Sequence, residues 1–569
     1  MAVFQRGEVR PPFNWADIVV GAGAVAAIAA VVAWATHGHG FRPESGAISL
    51  SLARLPLYAL ASWLRMAAAY ILSLGFAIVY AHLAAFNQRA ERYLIPILDI
   101  LQSIPILSFL PVVLLGFIAL FPGSNLGPNL ASVVLIFTSQ VWNMVFALYT
   151  GFVTIPKELR ELAVATRLTR WQRFRTLELP YAMGGLVWNS MMSWAGGWFF
   201  LMAAEEFSLG NRNYQLHGIG SFLQTAANRG RWSKELIGLA ALIAVIVLMD
   251  QLAFRPVLAW AEKFKMEMVE GEPPRSAVLM MVRRSVLIEE FSSRVWAPLT
   301  EWSDRAFRVR PGRRPSPTVQ STLSFVRTLI LAGSVYLMVV FIKDGVHLIV
   351  RSHPAIGFVL LATAATFGRV LLSILLSLIW TVPLGVAIGL NRKLSSRLTP
   401  IIQIFASVPA TALFPGVVAI LFHLHGGLNI AAILLMMLGT QWYVLFNVIA
   451  GASAIPEDLK ESARLFRLKG TLAWRTLILP AIFPYLIAGI ITASGGAWNA
   501  SIVAEYVSFQ GHTHHVFGVG WLIATASTDG RFALLLLSTL TLASTVVLLN
   551  RLIWRPLYRQ ASDRFTLDV

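Results

Sequence analysis

Long stretches without a charged residue divide the chain into regular blocks. Residues 18–36 and 66–88 contain no Asp, Glu, Lys or Arg, and residues 100–156 run uncharged for 57 positions. A helix crosses a bilayer with about 20 apolar residues, so the last stretch predicts two spans. The break between them is written as Pro122-Gly123-Ser124-Asn125-Leu126-Gly127-Pro128, residues that suit a turn and not a helix interior. Residues 179–204 predict a fifth span, and 236–254, interrupted by Asp250, a sixth. The second half follows suit at 328–342, 370–391, 398–456, 476–504 and 532–550, the third of these again long enough for two helices. A membrane β-barrel would show short alternating strands instead. The pattern predicts an all-α polytopic membrane protein with about 12 transmembrane helices.

The two halves repeat in detail. Pro96, Pro105 and Pro111 recur as Pro400, Pro409 and Pro415, and Arg65 recurs as Arg369, all at an offset of 304. From residue 156 the offset becomes 300, relating Pro156 to Pro456, Pro180 to Pro480, Glu205 to Glu505, and Gly218 and Gly220 to Gly518 and Gly520. Chance does not repeat so many positions, so the halves are two homologous six-helix units. The predicted organisation is a first repeat over 1–255, a connector over 256–320 and a second repeat over 321–569.

Composition agrees, with 57% hydrophobic residues, 13% charged residues and a mean hydropathy of +0.67. The net charge of +18 lies between the apolar runs and forms no single stripe, which argues against nucleic-acid binding. It reads instead as orientation charge. The basic loops at 157–175 and 457–475 belong inside and the uncharged 121–130 turn outside. Six spans per half make the repeats parallel, with both termini and the connector cytoplasmic. Within the connector, Ser276 to Ala306 fits either an amphipathic helix on the membrane or a solvated linker with basic anchors. Cysteine is absent, which excludes disulfides and thiol chemistry.

The basic loops carry the most specific signal. One runs from Ile155-Pro156 to Leu179-Pro180 and the other from Ile455-Pro456 to Leu479-Pro480, each opening with a proline suited to a first helical turn. This pattern resembles the coupling-helix motif of ATP-binding-cassette importer permeases, in which Glu-Ala-Ala is separated by three residues from Gly and followed by a distal Leu-Pro. Glu161 and Ala163 occupy the first and third motif positions, as do Glu461 and Ala463, and Pro180 and Pro480 supply the distal proline. Leu162 and Ser462 replace the central alanine, and Arg167 and Arg467 stand where the motif has glycine. The glycine substitutions predict either an altered turn or an arginine contact with the partner. The Ser-x-Pro segments at 103–105 and 407–409, the fifth span ending in Glu and the later Gly-x-Gly are similar to the permeases for nitrate, sulfonate, taurine and bicarbonate.

That resemblance implies the transmembrane subunit of an ATP-driven importer. It implies two separate ATPase subunits carrying ATP and Mg, an extracytoplasmic solute-binding protein, and the bacterial-type cytoplasmic (inner) membrane as the location. The chain has no Gly-x-x-x-x-Gly-Lys-Ser/Thr loop and is expected to bind no cofactor itself and to be no enzyme on its own. An ion-gradient-driven secondary transporter is the rival class.

Charges at membrane depth mark the candidate pathway. Arg65 and Arg369 either snorkel to the outer interface or form a cationic pair attracting a small anionic solute, with Glu205 and Glu505 available as counter-charges. Glu206 has no acidic equivalent in the second repeat and carries less weight. Kinks at Pro105, Pro111, Pro409 and Pro415 make the third spans candidates to line the pathway. His423, His425, His512, His514 and His515 fall on the outer side of the second repeat only. No acidic ligand accompanies them, so no metal site is expected.

Overall fold

A computed structural model describes residues 48–264, 276–306 and 356–565, apart from 123, 125, 210, 211, 422, 510 and 511. Scattered positions within 15–22 and 328–350 are also described. The first span expected in each half, at 18–36 and 328–342, therefore lies outside the described residues or is touched only at single positions.

The first repeat begins with α1 (Leu55–Phe86), then the amphipathic α2 (Gln88–Ser103), the short apolar α3 (Ile106–Leu120) and α4 (Leu126–Val153). A short polar helix α5 (Lys157–Ala165) leads through a π-helical segment, Phe174–Glu178, into α6 (Leu179–Glu205). An antiparallel hairpin, β1 (Glu206–Leu209) with β2 (Arg212–Gln215), precedes α7 (Ile219–Asn228) and α8 (Trp232–Met249). The connector holds α9 (Ala277–Arg284), α10 (Val286–Phe291) and α11 (Ala297–Ala306). The second repeat then gives α12 (Ile356–Gly389), α13 (Arg392–Ser407), α14 (Ala410–Leu421), α15 (Gly427–Ser453), α16 (Glu457–Leu465) and α17 (Leu479–Ala504). It closes with hairpin β3 (Tyr506–Phe509)–β4 (His512–His515), α18 (Val519–Thr528) and α19 (Phe532–Leu549). Element for element, the second repeat restates the first.

Among the described residues, seven helices are long and apolar enough to cross a membrane, or eight if each bent pair counts as one span. Three expectations change in detail. The second span starts well before residue 66, because Arg65 lies inside α1 and is accommodated there by partners described below. The third span is not one straight helix. Pro105 and Pro409 sit at breaks between two helices, and in the second repeat these meet at 76°. Asn87 and Asn391 cap the first of each pair by accepting from two backbone N–H groups. Third, the two hairpins add β-structure that charge-free runs do not reveal, since each strand is four residues long.

Helices in lipid associate through close packing and not through expulsion of water. Accordingly α1 presents Ser73, Ala77 and Ala81 toward α4, all fully buried, while Ile71 and Val79 on the opposite face are largely exposed. In α12 the same stripe reads Ser377, Thr381, Gly385 and Gly389. A Cβ on Gly385 or Gly389 would press into Val448 or Ala452 of α15, so glycine sets this closer approach. One apolar core joins both repeats. It contains the equivalent tryptophans Trp198 and Trp498, both essentially inaccessible, with Leu114 and Val418. Polar ties cross between repeats as well: Asn499 accepts from the Ile106 N–H at 2.5 Å and Thr539 donates to the Ser108 carbonyl at 3.3 Å.

Candidate functional site

Three places gather the residues singled out by the sequence. The first is the basic loop of each repeat. Pro156 and Pro456 precede α5 and α16, whose acidic first turns complement the positive helix end. Arg160 donates from Nη2 to the Phe152 and Val153 carbonyls at 2.9 and 3.0 Å, closing the C-terminus of α4. The helices then end identically. Leu168 N–H reaches the Ala163 carbonyl at 3.1 Å and Arg167 N–H the Val164 carbonyl at 2.9 Å, and Leu468 and Arg467 repeat the pair onto Ala463 and Arg464. These two bonds define a Schellman ending, which needs a left-handed residue after the cap.

Arg167 (φ 53°) and Arg467 (φ 54°) supply that conformation and are the only non-glycine residues with positive φ among those described. The turn expected of the motif glycine is thus kept although glycine is gone; the expected alteration does not occur. Ala163 is buried under the turn, while Glu161 and Glu461 are exposed. Around them lie exposed apolar side chains: Leu162, Val164 and Leu168 in the first loop, Leu465, Phe466 and Leu472 in the second. Pro180 and Pro480 occupy the first turns of α6 and α17. The connector reaches the first loop through Arg175 to Asp304 at 2.8 Å and Trp171 Nε1 to Ser303 at 3.2 Å.

The second place is a buried polar cluster at the C-terminal end of α6, repeated at the end of α17. Arg65 donates from Nη1 to Glu205 Oε1 at 2.7 Å, from Nε to Asn129 Oδ1 at 2.9 Å and from Nη2 to the His217 carbonyl at 2.9 Å. Glu205, fully buried, also accepts from Ser62 Oγ at 2.6 Å and from the Gly220 N–H at 2.7 Å, at the positive end of α7. A Cβ at Gly218 would overlap this carboxylate, which explains the first glycine of Gly-x-Gly. The second repeat copies the arrangement. Arg369 meets Glu505 at 2.7 Å and also donates to Asn429 and the Phe517 carbonyl. Thr366 stands in for Ser62, and the Gly520 N–H donates to Glu505 at 2.8 Å. The arginines are therefore held by the two glutamates, the counter-charge arrangement, and neither snorkels alone. Asn129, Asn429, Ser62 and Thr366 went unremarked in the sequence, although each pair obeys a repeat offset of 300 or 304.

The third place is a cavity of about 250 Å³ between the repeats. Equivalent positions line it from both sides: Leu107 with Thr411, Leu110 with Phe414, Pro111 with Pro415, Met202 with Ile502, Glu206 with Tyr506, and Gln224 with Ala524. Such pairing puts the cavity on the axis relating the repeats. Pro409 and Asn499 line a second space of about 90 Å³ between α6, α13, α15 and α17. Pro105 lies in neither lining. Among the described residues, no group of three or more His, Asp or Glu is arranged to hold a metal ion. Partial burial and the neighbouring His512 and His515 lower the pKa of His514 below the ordinary imidazole value.

Two parallel repeats of membrane helices, a matched turn in the basic loop of each and a cavity on their common axis define a duplicated transport permease. Both repeats match one family model, at residues 57–253 and 381–554, and the chain belongs to the family described as binding-protein-dependent transport system inner membrane component. It is similar to the bicarbonate transport system permease protein CmpB of Synechococcus elongatus, with 27% identity over 191 residues, 34% of this chain and 66% of that protein. The nitrate import permease protein NrtB of the same species is 28% identical over 188 residues, 32% of this chain and 64% of its own length. The taurine transport system permease protein TauC of Escherichia coli is 24% identical over 164 residues, 29% of this chain and 56% of its own. Each match spans less than two thirds of the relative's length.

Proposed function

We propose that the chain is the fused transmembrane permease of an ATP-driven importer, with residues 1–255 and 321–569 as its two transport units and 256–320 as the connector. The observation that carries this reading is the pair of cytoplasmic turns. Each keeps a left-handed residue at the motif glycine position and surrounds it with exposed apolar side chains, in a family named for binding-protein-dependent transport. Two ATPase subunits, carrying ATP and Mg, would each seat one turn. Glu161, Ala163 and Arg167 serve the first and Glu461, Ala463 and Arg467 the second, with Pro180 and Pro480 fixing the helices behind them. An extracytoplasmic solute-binding protein would deliver the solute to the outer side. Both termini and the connector are cytoplasmic in this reading.

ATP binding would draw the turns together and rotate the repeats about the cavity axis; hydrolysis would reset them. Arg65–Glu205 and Arg369–Glu505 tie α1 and α12 to the ends of α6 and α17, so they act as gate struts. Similarity to the bicarbonate and nitrate permeases favours a small anion such as bicarbonate or nitrate as the solute. The arginines add nothing to that preference, because both are engaged by carboxylates. Co-expression with candidate ATPases and reconstitution in proteoliposomes tests the proposal. ATP-dependent uptake supports it, and uptake driven by an ion gradient without any ATPase would favour a secondary transporter.

A further inference from the structure

The connector carries an apolar stripe that the importer reading does not use. Leu287, Phe291, Val295, Leu299 and Trp302 run along one helical stretch, from α10 through the π-helical segment Ser292–Trp296 into α11, and all are exposed. Phe291, Leu299 and Trp302 are each more than half exposed. A four-residue spacing drifts about 40° per step around an α-helix. The wider π-helical turn takes up part of that drift and keeps the five side chains in line. Two residues turn the helix by about 200°, so the positions two beyond the first four point the opposite way. These read Glu289, Ser293, Ala297 and Glu301. The helix thus has an apolar edge opposite a polar one, and we infer that it lies flat on the bilayer with the stripe buried at the boundary between headgroups and acyl chains.

The connector's protein contacts put it at that level. Ser285 Oγ and the Leu287 N–H donate to Asp17 Oδ1 at 2.7 and 3.0 Å, directly ahead of the charge-free run that starts at residue 18. Trp171 and Arg175, which meet Ser303 and Asp304, lie just ahead of α6. Helix α9 packs on Arg255–Ala261, the helical continuation of α8. Each of these partners sits where a membrane segment begins or ends. Leu248, Leu252 and Val257, all exposed, carry the lipid-facing surface of α8 down to this contact, and that continuity favours lipid over a protein as the occupant of the stripe. Trp296 and Trp302 are of the residue type that settles at the headgroup level. Between residues 276 and 306 four arginines balance four acidic residues. Arg294 and Arg305 are also paired with Glu290 and Glu301 at 2.7 and 3.2 Å. The attachment is therefore apolar and does not depend on anionic headgroups.

The absence of native cysteine makes the test direct. Single cysteines at Phe291 and Leu299 on the stripe, and at Ser293 and Glu301 opposite it, would be placed in the full chain in phosphatidylcholine nanodiscs. Each would carry an environment-sensitive fluorophore, and quenching would be measured with phosphatidylcholine brominated near the top of its acyl chains. The expected result is at least about twofold quenching at 291 and 299 and little at 293 and 301. Adding phosphatidylglycerol or salt should leave this pattern unchanged. Leu299→Glu with Trp302→Glu should abolish quenching at Phe291→Cys, while a fluorophore at Leu248→Cys on α8 stays quenched and reports an intact permease. No quenching at 291 and 299, equal quenching at all four positions, or quenching that needs phosphatidylglycerol would overturn the inference. Shielding of the stripe only when ATPase subunits are added would give the face to a protein partner and overturn it equally. The measurement needs no ATPase and no transport, so it stands or falls apart from the importer reading.

Discussion

Glu205→Gln is the sharpest probe of the outer cluster. The native carboxylate accepts from Arg65, Ser62 and the Gly220 N–H while fully buried. Glutamine keeps the shape but leaves the Arg65 guanidinium, itself 8% exposed, without its counter-charge. It also points an amide where a backbone N–H donates. Removing one partner of a buried ion pair costs about 3–5 kcal/mol, whereas removing both costs far less because no buried charge remains. The double variant Arg65→Gln/Glu205→Gln should therefore be more stable than the single one. A double-mutant cycle on purified protein, read by chemical unfolding in mixed micelles, should give a coupling energy of about 1–3 kcal/mol. The equivalent cycle at Arg369 and Glu505 should give a similar but smaller value, because the Arg369 side chain is 12% exposed against 9% for Arg65. Strictly additive single-variant costs would refute the idea that these residues act as one strut.

Other outcomes are as definite. Arg167→Gly and Arg467→Gly should each stabilise the chain by about 1 kcal/mol, since glycine adopts the observed φ without strain, and both thermal unfolding and ATPase docking can report it. Gly218→Ala should destabilise by more than about 2 kcal/mol and weaken the Arg65–Glu205 pair, because the added methyl displaces the carboxylate; an unchanged midpoint would contradict the packing. Cysteines introduced at Thr166 and at Thr513, both exposed, should react with impermeant reagents from the cytoplasmic and the outer side respectively, and the reverse pattern would invert the topology.

Much of this architecture was legible from charge-free runs and repeat offsets, because a bilayer imposes length and apolarity on every crossing segment. The failures follow from the same rule. Counting a span as a stretch without charge truncated α1 at Arg65, whose charge is satisfied by residues 64 to 152 positions away in sequence. The bend at Pro409 agrees with the kink its proline predicts, whereas the four-residue strands are too short to show a period. At Arg167 and Arg467 side-chain identity suggested a changed turn, while the hydrogen bonds onto Ala163 and Ala463 preserved it.

In the proposed importer the paired turns at Arg167 and Arg467 transmit ATP hydrolysis to the permease. Reconstitution of the Glu161→Ala/Glu461→Ala double variant with its ATPase subunits tests this most directly, measuring hydrolysis and solute uptake in the same proteoliposomes. The account predicts continued hydrolysis with uptake reduced at least tenfold and the helical fold unchanged by circular dichroism. Full uptake by that variant would contradict it.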